Sequence, residues 1–198
     1  NCYIVNETAV KLLAQTLKQV NPNGVFIHYS TDYVFDGTKT EPYSETDATN
    51  PQSIYGKSKL AGEHALIDSG ISHLIFRTSW VYSLFGKNFV NTIKRLAVER
   101  TELTIVSDQL GAPTSALEIA TVTLLAIKHL QMTPIQTAHS IWGIYNLTGK
   151  EMLSWYEFAQ KIVAQMNLDS PPRSSHSSQK ITHLKPQGHS TAGFQVKK

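Results

Sequence analysis

Tyr55-Gly56-Lys57-Ser58-Lys59 sets a phenol and an ammonium four residues apart. On a helix such residues are neighbours on one face, about 5–6 Å apart at Cβ. A tyrosine with its ordinary pKa near 10 is a poor acid-base group at neutral pH, and a cation held beside it favours the phenolate and lowers that pKa. Tyr55 so placed can exchange a proton with an alcohol or a carbonyl oxygen. Taken alone, the pair equally fits an ordinary helix surface with the lysine in water. Two other stretches give it direction. An apolar run ends in Ser30-Thr31-Asp32, and a second ends in Arg77-Thr78-Ser79-Trp80. In a parallel α/β sheet, ligands bind at the carboxyl ends of the strands. A hydroxyl at the end of the first run can polarise the same oxygen that Tyr55 protonates.

Those groups need elements to hold them, and the spacing supplies a regular alternation. Residues 7–20 place Val10, Leu13, Leu17 and Val20 at helical spacing, and Asn21-Pro22-Asn23-Gly24 then ends the helix. VFIHYS reads as a strand, Tyr55 to Ile67 as a helix and HLIFRTS as a strand. NFVNTIKRLAVER follows as a helix, LTIVS as a strand, and residues 117–130 as a helix. GIYNLTG then precedes the helix SWYEFAQKIVAQM, where Ser154 and Glu157 form a capping box. Strand and helix alternating in this way predict a parallel sheet with helices on both faces. No G-x-G-x-x-G turn occurs, so the expected doubly wound sheet lacks its first βαβ units.

Composition limits the alternatives. At 198 residues and 41% hydrophobic content the chain is long enough for a real core. No apolar stretch has the length of a membrane span, and the first residues lack the plan of a signal peptide, so a cytoplasmic protein is expected. The single cysteine, Cys2, builds neither an intramolecular disulfide nor a metal cluster. Of the formal charge of +3, five cations and no acid fall in residues 171–198, and setting those five aside leaves 13 basic and 15 acidic residues. The remainder carries −2, so no nucleic-acid partner is expected. Residues 171–198, rich in Ser, His and Gln, read as a loosely ordered basic tail.

STDYVFDG, PYSETDATNPQSIYGKSKLAGE, FRTSWVY and the stretch from NFVNT to SALEIA together resemble the dTDP-4-dehydrorhamnose reductase family of extended short-chain dehydrogenase/reductases. The resemblance runs from about Val5 to Met166. It implies a Rossmann-type fold and reduction of the 4-keto group of dTDP-4-dehydro-L-rhamnose to dTDP-L-rhamnose by hydride from NADPH or NADH. It also implies roles: Tyr55 as proton donor, Lys59 on the nicotinamide ribose, Thr31 orienting the keto oxygen, Asp32 and Trp80 on the sugar nucleotide, and Asn6 supporting Lys59 through water. In that scheme residues 1–110 are the later part of the NAD(P)-binding domain, and residues 111–170 form an interleaved substrate-binding lobe. A homodimer is compatible with the resemblance. Mg2+ enters only as a family association, since no residues here offer it a ligand set.

The sequence departs from the family where the glycine-rich turn is expected and again in RSSHSSQKITHLKPQGHSTAGFQVKK. Two other readings therefore stand beside the reductase. One is a non-catalytic binding relative, such as the regulatory β subunit of methionine adenosyltransferase. The other is a reductase or epimerase of a different nucleotide sugar. Tyr33, Phe35 and Tyr82 are candidates for a pocket wall or for loop packing, Asp108 to Thr114 for a substrate loop or a turn, and Asn88 for a sugar contact or a helix cap.

Overall fold

A computed structural model describes residues 1–133, 141–169 and 180–184. Among these residues no helix is long and apolar enough to cross a membrane. By compactness the chain divides at other places than residues 110 and 170. One unit comprises residues 1–79 and 121–148, the other residues 80–120 and 149–198.

In the first unit a π-helical turn, Ile4–Thr8, runs into α1 (Ala9–Val20). Then come β1 (Val25–Thr31), a 3-10 turn (Asp32–Val34), α2 (Ile54–Ser69) and β2 (Ser72–Thr78). The line buried by α1 differs from the expected one. Val10 and Ala14 are buried and Leu17 packs beside them, while Leu13 and Val20 stay 60% and 74% exposed. Steps of four and three residues along 10, 14 and 17 keep one narrow stripe on the sheet, and the small Ala14 lets α1 lie close.

β1 and β2 pair in parallel, and β7 (Gly143–Asn146) adds to the other side of β2. The register aligns Tyr29, Phe76 and Tyr145 across the three strands, and their rings touch in series at 6.2 and 6.3 Å. Alternation sends the next residues to the opposite face. There Ile75 joins Val10, Ala14, Leu66 and Ile71 in the core of this unit. Tyr29 also hydrogen-bonds Thr123 of α4 (Ala116–Met132), its hydroxyl 2.8 Å from that of Thr123.

The second unit is built on α3 (Phe89–Glu99) and α5 (Trp155–Asp169), whose apolar faces meet over β4 (Glu102–Val106). Asn88 caps α3, its side chain accepting from the Asn91 amide at 3.1 Å. The capping box of α5 forms as expected: the Glu157 amide donates to Ser154 Oγ at 3.1 Å and the Ser154 amide to Glu157 at 2.7 Å. Three short pieces complete the unit. β3 (Val81–Tyr82) pairs with β6 (Thr114–Ser115), and β5 (Leu110–Gly111) pairs with β8 (Leu153–Ser154).

Among the described residues β4 does not extend the first sheet, as unbroken alternation would have it. It pairs in parallel with β9 (Lys180–Leu184). That strand corrects the expectation for part of the tail. Within residues 171–198, Ile181 packs on the second core and the Thr182 hydroxyl lies 3.3 Å from that of Thr104. The adjacent β-branched residues Ile181 and Thr182 favour a strand and turn to opposite faces, so that Ile181 can be buried, which the surrounding polar composition conceals. The rest of the expected tail lies outside the described residues.

Candidate active site

α2 begins where the sequence predicts it because Ser53 caps it, accepting from the Gly56 amide at 3.0 Å. Tyr55 stands in its first turn, 46% exposed, edge-on to the Tyr33 ring at 6.2 Å. Gly56 brings this turn against the Tyr33 backbone, where a Cβ would collide with the Tyr33 carbonyl. Thr31, the last residue of β1, is buried. Its hydroxyl accepts from the Tyr33 amide at 3.3 Å and donates to Asp32 at 3.2 Å, capping the 3-10 turn.

One turn further along α2, Lys59 donates from Nζ to the Tyr29 carbonyl at 2.5 Å. Asn6, in the π-helical turn, donates to Ser58 Oγ at 3.0 Å, and Ser58 in turn donates to the Tyr55 carbonyl at 2.8 Å. Asn6 thus braces the segment between Tyr55 and Lys59 directly. Gly62 permits the approach, since a Cβ there would strike the Asn6 carbonyl. Of the residues singled out in the sequence, Thr31, Asp32, Tyr55, Lys59 and Asn6 all fall in the first unit. Trp80 opens the second. It adopts a left-handed backbone, φ 43°, rare for a bulky residue, and stacks on Trp155 with ring centroids 3.5 Å apart.

The electrostatics differ from the expectation at Tyr55. Burial pushes its phenol above the usual tyrosine range, the Thr31 hydroxyl pulls it back, and the charges of Asp32 and Cys2 raise it further. Lys59 is not among the groups that shift it; its ammonium donates to the Tyr29 carbonyl. Burial lowers Lys59 and the Glu63 charge raises it. Asp32 is raised by burial, opposed by hydrogen bonds from Ser79, at 2.6 Å, and Thr31. His28, below them on β1, is lowered to about 4 by burial and by Lys59, against an opposing pull from Glu63. Its Nε2 is buried without a hydrogen-bond partner among the described residues.

The spacing rules also passed over a charge cluster. Glu63 completes a Tyr55, Lys59, Glu63 stripe with four-residue steps, and it is only 1% exposed. A buried acid requires a partner. The signal for one was Arg77, the lone cation inside the apolar strand HLIFRTS.

A half-exposed phenol, an ammonium and a hydroxyl gathered at the carboxyl end of a parallel strand form an arrangement that can protonate and orient a carbonyl oxygen. The model of the family described as RmlD substrate binding domain matches residues 1–192. The chain belongs to the dTDP-4-dehydrorhamnose reductase family. That match takes in most of the stretch beyond Arg173 whose sequence departs from the family pattern. The chain is 49% identical over 161 residues to the dTDP-4-dehydrorhamnose reductase of Burkholderia thailandensis, an alignment covering 81% of this chain and 53% of that protein. For the Escherichia coli K12 reductase the identity is 45% over 156 residues, covering 79% and 50%. The chain thus spans about half the length of the curated relatives it matches.

Among solved structures, the Bacillus anthracis dTDP-4-dehydrorhamnose reductase in complex with NADP superposes with a TM-score of 0.73 at 34% identity, covering 92% of this chain and 57% of that one. The Clostridium acetobutylicum reductase gives 0.74 at 35% identity, covering 92% and 64%. The Rossmann-like α/β class expected of this reductase family member is therefore its fold. Its residues fit a nicotinamide cofactor in donor chemistry: Tyr55 and Lys59 present a phenol and an ammonium suited to ribose hydroxyls. For Mg2+ there is no such fit, since no group of three or more His, Cys, Asp or Glu side chains is placed to hold a metal among the described residues.

Proposed function

We propose that the protein to which this chain belongs reduces dTDP-4-dehydro-L-rhamnose to dTDP-L-rhamnose, with NADPH or NADH as reductant. The observation that carries the reading is the gathering of Thr31, Tyr55 and Lys59 around the end of β1, in a chain of this family. The nicotinamide, when bound, supplies the hydride to the 4-keto carbon. Thr31 and Tyr55 address the keto oxygen. As negative charge develops there, the Tyr55 hydroxyl gives up its proton and the product leaves as the alcohol. Burial keeps the Tyr55 phenol protonated before the reaction, and the oxyanion that develops on the substrate, a stronger base than a phenolate, takes the proton. Lys59 presents its ammonium to the ribose hydroxyls.

Asp32 and Trp80 serve the sugar nucleotide in this reading, and residues 111–170 contribute the substrate lobe. The NADP complex of the Bacillus anthracis reductase favours NADPH. A cytoplasmic homodimer belongs to the same proposal. The test is oxidation of NADPH by the full-length protein with dTDP-4-dehydro-L-rhamnose, followed by product analysis. Formation of dTDP-L-rhamnose supports the reading. Sugar-nucleotide binding without turnover would favour a non-catalytic relative, and turnover of another 4-keto sugar would redefine the substrate.

A further inference from the structure

Glu63 lies on the same α2 stripe as Tyr55 and Lys59 and is more deeply buried than either. Its carboxylate is held from two strands. Ser30 Oγ of β1 donates a short hydrogen bond to Oε1, and Arg77 of β2 donates from Nε to Oε1 at 3.1 Å and from Nη2 to Oε2 at 2.7 Å. Ser30 and Arg77 are register partners, so they project to the same face of the sheet and close on Glu63 together. Arg77 is itself 3% exposed, rests over the Phe35 ring at 5.1 Å, and reaches the Glu45 carbonyl at 3.4 Å. A fork-to-fork pair with both oxygens engaged permits little rotation of α2 about its axis.

We propose that Glu63, clamped between Ser30 and Arg77, is a positioning residue for the reduction: it fixes the α2 stripe against β1 and presents a buried negative charge one turn from Lys59. The inference deepens the proposed function, which supplies the reaction that Lys59 serves. The charge reaches its target, since Glu63 is the group that supports the Lys59 ammonium against burial. Of the titratable groups, His28 on β1 and Glu63 on α2 interact electrostatically with Lys59, His28 being lowered by it. Only Glu63 shifts Lys59 upward.

The test follows the Lys59 ammonium by NMR titration in the full-length protein, with the signal assigned by its loss in Lys59→Met. In Glu63→Gln we expect Lys59 to titrate lower by about one unit, the size of shift a nearby charge produces. Glu63→Asp, which keeps the charge, is expected to restore it. Because Glu63→Gln leaves Arg77 buried and unpaired and can unfold the chain, the double variant Glu63→Gln/Arg77→Gln is measured as well, with both charges removed together. A smaller downward shift is expected there, because loss of the Arg77 cation acts on Lys59 in the opposite sense, and a Lys59 unmoved in Glu63→Gln and in the double variant alike overturns the proposal. In kinetics, the alkaline limb of kcat should move down with Lys59 while KM for the sugar nucleotide holds. A loss of kcat with an unmoved limb would make Glu63 merely structural. If the wild-type protein reduces no keto sugar, the proposed function fails, and the Lys59 titration still decides the role of Glu63.

Discussion

Lys59 and Tyr29 are joined end to backbone: the ammonium of one donates to the carbonyl of the other at 2.5 Å, two residues before β1 ends at Thr31. The ammonium is thereby fixed to the strand that carries Thr31, rather than left in water as a helix-surface lysine would be. Replacing Lys59 with Met removes that donor and the charge. Turnover and NADPH binding should both fall, whereas sugar-nucleotide binding should hold. Calorimetry with each ligand separates these, and unchanged NADPH affinity would remove Lys59 from the cofactor site.

Tyr55→Phe deletes only the hydroxyl. Its ring keeps the edge contact with Tyr33, so fold and ligand binding should survive while turnover drops roughly 10²–10⁴-fold, the usual contribution of a positioned acid. Equal loss of binding and turnover would show that the ring, not the proton, is what matters.

His28 gives stability a pH dependence whose sign is fixed. Its folded pKa, about 4, lies below the ordinary 6.5. The unfolded chain therefore binds a proton before the native one does, and stability is full above pH 6.5 and declines as pH falls toward 4. The loss is on the order of 3 kcal/mol when complete, at roughly 1.4 kcal/mol per unit. Urea titrations across that window should show it, and His28→Leu should flatten the dependence.

Gly62→Ala adds helix propensity worth up to about 1 kcal/mol, yet the new methyl meets the Asn6 carbonyl. Forcing the two backbones apart should cost about 1–3 kcal/mol and lower Tm. A raised Tm would mean that the π-helical turn yields easily.

Ser154→Ala opens the α5 capping box on the side of the Glu157 amide. A loss of about 1 kcal/mol is expected, visible as a lower Tm.

The sequence was most legible where one physical rule acts alone. Ser154 with Glu157, and the polar ends of the strands at Ser30 and Thr78, were readable from spacing because caps and strand ends are local. The stripe of α1 was misread because Leu13 fits helical periodicity as well as Ala14 does, and only the closeness of α1 to the sheet selects the smaller residue. β9 was missed because its partner, β4, lies more than 70 residues away, and local composition does not reveal long-range pairing. At the proposed site, Tyr55, Lys59 and Thr31 were singled out by residue type and spacing. Glu63 was passed over because an acid on a lysine-bearing helix reads as solvated surface until the register of β1 against β2 places Arg77 over it. The pKa of Tyr55 went the other way from the simple pair rule because burial, which spacing does not reveal, raises it, with Asp32 adding to the rise.

The consecutive residues Tyr29 and Ser30 engage Lys59 and Glu63 by different means, one through its carbonyl and one through its side chain. Were β1 to slip by a single residue against β2, the Ser30 hydroxyl would turn to the opposite face and the carbonyl that receives Lys59 would move with it. A misaligned strand would lose the ammonium's anchor and leave a carboxylate without its hydroxyl in the interior. The reactive groups thus act as a check on strand alignment, so that a chain able to perform the chemistry is one whose sheet has already assembled in the correct frame.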